Sequence, residues 1–182
     1  MDINSFIIGF KKGKQSGGGW SDFPVNDFFG RIATEITLTG VTALGQGSIY
    51  QYNTLEKLYL PDVIGISSGA ISSCSNLSNI VMGENLSTIG GQGTSAISGC
   101  PSLKSITIPS SVKKVEWNTL IGATGLETVT FLGTPESIGS VFNSTALPTS
   151  VKTINVPWAE GEVAGSPWGA TSAQINYNYT GG

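Results

Sequence analysis

The stretch that decides the fold is "ISGCPSLKSITIPSSV", residues 97–112. At its centre Ile106 and Ile108 alternate with polar residues, the period of a short strand with one buried face. Pro109 follows at once and ends the strand, because proline has no amide hydrogen to give to a ladder. "ISSCSNLSNIVM", residues 71–82, repeats the same plan. Two copies of so specific a pattern point to a repeat, and repeats decide architecture before any motif does.

Extending the alignment gives the inward pairs Ile36/Leu38, Leu58/Leu60, Ile80/Met82, Ile106/Ile108, Val129/Phe131 and Ile154/Val156, with a degenerate Ile175/Tyr177. Successive pairs are separated by 22, 22, 26, 23, 25 and 21 residues. Three residues before a pair stands Leu55, Leu77, Leu103, Leu126 or Val151, and six before that stands Ile49, Ile71, Ile97 or Leu120. One such coil is too small to bury its own apolar face, so neighbouring coils must stack to complete a continuous core. The expectation is a mainly β solenoid of short parallel strands, one per coil of 21–26 residues. The longest step places its extra residues in an outer turn around "GGQGTS".

Composition agrees with that reading. The chain has 182 residues, 39% hydrophobic and only 12% charged, with 25 glycines and a net charge of −3. Evenly spread apolar residues and a low net charge argue against disorder. No run approaches the ~18 apolar residues of a membrane span. At the start, "MDINSFIIGFKKGK", the basic residues follow a short apolar run, whereas an export signal has them before a longer one.

The motif "ISGCPSLKSITIPSSV" resembles the BspA-type leucine-rich repeat, whose pattern is FxxCxxLxxIxIPxSV, over roughly residues 33–157. Ile or Leu often replaces the usual Phe, and the last coils are poorly formed. The resemblance implies a parallel-stranded arc used for adhesion and protein interaction, with no catalytic residues to carry over.

Cys74 and Cys100 occupy one equivalent inward position, matched by Tyr52 and Ala123 in neighbouring coils. They read as a structural ladder of buried thiols. A disulfide between coils is geometrically open to them. A metal site is disfavoured, since zinc needs about four ligands and the chain has no histidine. The absence of histidine also removes Ser-His-Asp and Cys-His triads, so the chain is expected not to be an enzyme and to need no cofactor. "GFKKGK" mimics a phosphate loop but has three residues between its glycines and Gln15 where a hydroxyl is required. "GQGTSA" is a turn, not a dinucleotide fingerprint. Glu160 and Glu162 could be imagined as an acid/base pair, without any sign of a cleft.

The ends depart from the repeat. Ile3, Phe6, Ile7 and Phe10 fall at i, i+3, i+4 and i+7 and predict a short amphipathic helix. Lys11, Lys12 and Lys14 follow, then the glycine hinge "SGGG". Residues 1–19 therefore read as an anchoring arm, docking on this solenoid's first coil, a sister subunit or a larger assembly. Residues 20–32, with Trp20, Phe23, Phe28 and Phe29, read as an aromatic N-terminal cap, ahead of repeats over 33–157. Residues 158–182 read as a C-terminal cap, where Trp158 and Trp168 either cover the last coil or offer a ligand surface. Nucleic-acid binding and membrane insertion are not expected, since the chain is net acidic and three lysines are a weak anchor.

"MDINSFIIGFKKGK" and the ending "VPWAEGEVAGSPWGATSAQINYNYTG" also resemble the termini of small structural proteins from tailed bacteriophages and prophages. That resemblance implies a virion component made in the host cytoplasm, a decoration, fibre or tail-appendage module. Its partners would be capsid or tail proteins or sister subunits in a homo-oligomer, with a host-surface glycan or protein as ligand. The alternative expectation is a BspA-like adhesin or protein-interaction module on the bacterial cell surface.

Overall fold

The computed structural model describes residues 5–9, by their backbone, together with 32–91, 95–139 and 146–181. Strands are numbered β1 to β16 in chain order. Every pairing among them is parallel, and the described residues contain no helix. Each coil turns three corners, so the solenoid has three faces. The main face carries β1 (Ser5–Gly9), β2 (Glu35–Thr39), β5 (Lys57–Leu60) and β8 (Asn79–Met82) in one sheet. It continues with β11 (Ser105–Ile108), β13 (Thr128–Phe131), β15 (Thr153–Asn155) and β16 (Gln174–Asn176) in a second sheet. The second face stacks β3 (Ala43–Leu44), β6 (Gly65–Ile66), β9 (Thr88–Ile89), β12 (Lys114–Val115) and β14 (Ser137–Ile138). The third stacks β4 (Ile49–Tyr50), β7 (Ile71–Ser72) and β10 (Ile97–Ser98).

The expected pairs are the rungs of the main face. Ile36 pairs with Leu58 and Leu58 with Ile80, while Ile106 pairs with Val129 and Val129 with Ile154. Even the degenerate last copy takes its place, with Ile175 beside Ile154. The leucine column Leu55, Leu77, Leu103, Leu126 and Val151 has no exposed surface at any rung. Removing one such side chain from water stabilises the fold by about 1.5–3 kcal/mol. Column and corner are set together, because each of these residues donates its amide to the carbonyl three positions earlier. The acceptors are Tyr52, Cys74, Cys100, Ala123 and Pro148, at 2.9–3.2 Å. That shared turn makes Tyr52, Cys74, Cys100 and Ala123 one inward ladder, all of them buried.

The N-terminal helix is not what forms. Ser5–Gly9 are a strand, parallel to β2 with Phe6 opposite Ile36 and Ile8 opposite Leu38. The run "SFIIG" is rich in aromatic and β-branched residues, and the edge of β2 offers it a full ladder of backbone partners. An isolated helix of that length has no comparable source of stability. Ile3, Phe10, Lys11, Lys12 and Lys14 lie outside the described residues, as do the aromatic residues of the expected N-terminal cap.

The main face has a seam. No ladder joins β8 to β11, although the two strands are neighbours. The seam coincides with the 26-residue step, and serine hydroxyls hold the coils together beside it. Ser102 Oγ donates to the Ser75 carbonyl at 2.7 Å and Ser111 Oγ to the Leu86 carbonyl at 2.7 Å. Ser110 Oγ reaches the Glu84 carboxylate at 2.9 Å.

Candidate functional site

The residue between the two members of each inward pair must point outward, because strand side chains alternate. On the main face these are Thr37, Tyr59, Val81, Thr107, Thr130, Asn155 and Asn176, of which Asn155 is itself buried among its neighbours. Parallel pairing sets Thr37 beside Tyr59 and Tyr59 beside Val81. Across the seam it sets Thr107 beside Thr130, Thr130 beside Asn155, and Asn155 beside Asn176. The result is a row in two runs, Thr37 to Val81 and Thr107 to Asn176, with rungs about 4.8 Å apart within each run and the seam between them.

Two properties define the row. It contains no charged side chain. Its C-terminal half is also internally organised: Asn176 Nδ2 donates to Asn155 Oδ1 at 2.8 Å, and Asn155 Nδ2 donates to Thr130 Oγ1 at 3.1 Å. Gln174 Nε2 closes the chain on Asn176 Oδ1 at 3.2 Å. Such a relay fixes side-chain rotamers before any partner arrives, which lowers the entropy a partner must overcome. Tyr59 and the exposed Val81 add an aromatic and an aliphatic contact in the N-terminal half.

Charges sit to one side and cancel in pairs. Lys57 bonds Glu35 on the neighbouring coil, which holds its ammonium above the usual lysine range. Lys152 bonds Glu127 at 2.9 Å and holds that carboxyl below the usual carboxylate range. The face can therefore offer hydrogen bonds and van der Waals contact, but no net field to steer an ionic partner.

The C-terminal tryptophans play no part in it. Trp168 is fully buried and Trp158 is 3% exposed. Their rings stand 6.0 Å apart edge to face and close over Phe131 at 5.3 and 6.4 Å. Trp168 Nε1 donates to the Ala164 carbonyl at 2.8 Å. They cover the last coil, and the expectation that they form a ligand surface is corrected. Burying three large rings together is worth more than leaving two of them in water. Glu160 and Glu162 are exposed on the loop between the tryptophans, and the described residues hold no cluster of three or more metal-ligating side chains.

One further concavity, a hollow of about 410 Å³, lies at the corner formed by Ile121, Thr124, Leu147, Pro148 and Ser150. Ser150 Oγ is buried there without a hydrogen-bond partner among the described residues. No charged residue lines it. Among the described residues no helix is long and apolar enough to cross a membrane.

Comparison with known proteins places these features. The family described as BspA type leucine rich repeat region matches residues 42–158 in six copies. A leucine rich cell surface protein from Faecalibacterium prausnitzii A2-165, known from a crystal structure at 1.80 Å, superposes with a TM-score of 0.51 and 21% identity. The match covers 82% of this chain and 32% of that one, so this chain spans about a third of that protein's length and shares its fold. No curated protein matches.

Proposed function

We propose that this chain, which belongs to the BspA-type leucine-rich repeat family, is a non-catalytic binding module of a bacterial cell surface. The observation that carries the reading is the uncharged row from Thr37 to Asn176, set on a parallel sheet. A row of hydroxyls and amides with one aromatic ring suits a neutral partner, either a glycan or an uncharged strip of protein. It offers nothing to a phosphate backbone. The cell-surface part of the proposal is supported by the fold shared with the Faecalibacterium cell surface protein. The virion reading rested on the resemblance of both termini to phage structural proteins and on an anchoring arm at residues 1–19. Neither the family match nor the structural match supports it. Ser5–Gly9 pair with β2 of the same chain rather than projecting from it.

The test is a binding screen of the purified chain against a glycan array and against intact epithelial and bacterial cells. Thr107→Lys and Thr130→Lys place unpartnered charges in the middle of the row. Thr88→Lys places one on the second face as a control. The proposal expects the first two to lose at least about tenfold in binding, roughly the 1.4 kcal/mol that a misplaced charge readily costs, while the control keeps it. Binding that survives both row variants and fails with the control would move the site to the second face.

A further inference from the structure

We propose that Cys74 and Cys100 are a covalent modification site, an intrachain cystine that staples one coil of the solenoid to the next. The two cysteines are one rung apart in the inward ladder. β7 and β10 pair in register, with Ile71 opposite Ile97 and Ser72 opposite Ser98. The register runs on into the corner, where Ser73 N donates to the Ser98 carbonyl at 3.0 Å. Leu77 and Leu103 then close identical turns on the Cys74 and Cys100 carbonyls at 3.2 and 3.1 Å. Backbones held one strand spacing apart, about 4.8 Å, fall inside the roughly 4.4–6.8 Å Cα separation that a disulfide spans.

The side chains are disposed for it as well. Cys74 is fully buried and Cys100 is 1% exposed, so both point into the same interior. Both are thiols in this structure. Each thiol donates to the carbonyl two residues before it, Ser72 at 3.5 Å and Ser98 at 3.3 Å. These are weak bonds, surrendered at little cost when the sulfurs turn toward each other. A hydrogen bond with Cys74 holds the Cys100 thiol below the usual thiol range, against the opposing effect of burial. The flanking rungs are Tyr52 and Ala123, so the ladder can close one bridge and no other.

Burial decides when the bridge forms. A small-molecule oxidant reaches these sulfurs while the coils are still assembling. With oxidised glutathione, the thiolate of one cysteine attacks the glutathione disulfide, forms a mixed disulfide and releases one glutathione thiolate. The other cysteine's thiolate then attacks the protein sulfur of that mixed disulfide, closes the Sγ–Sγ bond and releases the second. Two protein S–H protons are lost, the two cysteines are oxidised, and one glutathione disulfide becomes two thiols.

The full chain, unfolded in urea with its thiols reduced, is refolded in a buffer of reduced and oxidised glutathione and then alkylated in denaturant. The expected product is a monomer lighter by two hydrogens, with no alkylated cysteine, and a non-reducing digest that joins the peptides of Cys74 and Cys100. Prior reduction should restore two alkylated cysteines. Two alkylated cysteines without reduction, stable glutathione adducts, or disulfide-linked dimers would each overturn the proposal. Cys100→Ser provides the control, since it must yield no internal cross-link, and circular dichroism shows whether each preparation has folded.

Discussion

Stacking coils one strand apart makes the space beside each glycine a measurable quantity, and Gly65 and Gly83 should respond to the same methyl group with opposite signs. A Cβ on Gly83 would stand 2.2 Å from the Pro61 carbonyl oxygen, 2.7 Å from its carbon and 2.9 Å from its Cα. All three are backbone atoms of the coil below, and Gly83 N already donates to the Leu60 carbonyl at 3.0 Å. Relief therefore requires the two coils to part by more than 1 Å, which breaks that bond and opens the packing around Leu60 and Met82. Overpacking of this kind costs about 1–3 kcal/mol, of which the stiffer unfolded chain returns about 0.4–1 kcal/mol. A Cβ on Gly65, in β6, would meet nothing within 4 Å, and its backbone is not in the left-handed region. Only the unfolded-chain effect remains, so Gly65→Ala should stabilise by about 0.4–1 kcal/mol. Urea unfolding followed by far-ultraviolet circular dichroism reads both, and for a chain of this size each kcal/mol moves Tm by roughly 2–4 °C. If Gly83→Ala were as stable as the parent, close stacking would not be what reserves that position for glycine.

Other perturbations follow from named contacts. Trp168→Ala removes the largest fully buried ring and should cost about 3–5 kcal/mol, read as early loss of the C-terminal coils in hydrogen exchange. Tyr52→Phe deletes a buried hydroxyl that makes no well-formed hydrogen bond among the described residues, the Ala33 backbone being its one polar neighbour. That variant should gain about 1 kcal/mol at neutral pH. Burial holds the Tyr52 phenol above its usual range, so its contribution is complete below the unfolded tyrosine pKa and is lost as pH rises through the folded one. Tyr52→Phe should therefore flatten the alkaline limb of a plot of urea midpoint against pH. Glu127→Gln tests the opposite sign: Lys152 lowers that carboxyl's pKa, so the parent's advantage is present above the unfolded carboxylate pKa and fades as pH falls through the folded one. Added salt should shrink it.

How much was legible follows from period length. The main-face strands and the leucine column were readable because the i, i+2 pair and the leucine three residues before it recur in at least five coils. The candidate row was readable too, as the residue between Ile36 and Leu38 and its equivalents, once the pairs were taken as inward. The strands of the second and third faces were not, because two residues such as Ile71–Ser72 are too short to display a period. The arm was misread for a related reason. In "NSFIIGF" the apolar residues satisfy a helical spacing and a strand composition together. The edge of β2 decided between them, and no local pattern contains that edge. Trp158 and Trp168 were readable as large and apolar, but their joint packing on Phe131 depends on a loop that returns the chain between them.

The seam between β8 and β11 gives the molecule a crease. The ladders of the second and third faces run past it unbroken, through β6, β9 and β12 and through β7 and β10. Only the main face lacks backbone ties there, and that crease falls between Val81 and Thr107, midway along the candidate row. Curvature can therefore change along one line, parallel to the strands, without giving up a ladder bond. Spin labels on Asn79 and Ser105 should then report a broader distance distribution than labels on Ser105 and Thr128, and equal widths would show the crease to be stiff. A surface that flexes about a single line can follow partners of different roundness with one set of side chains.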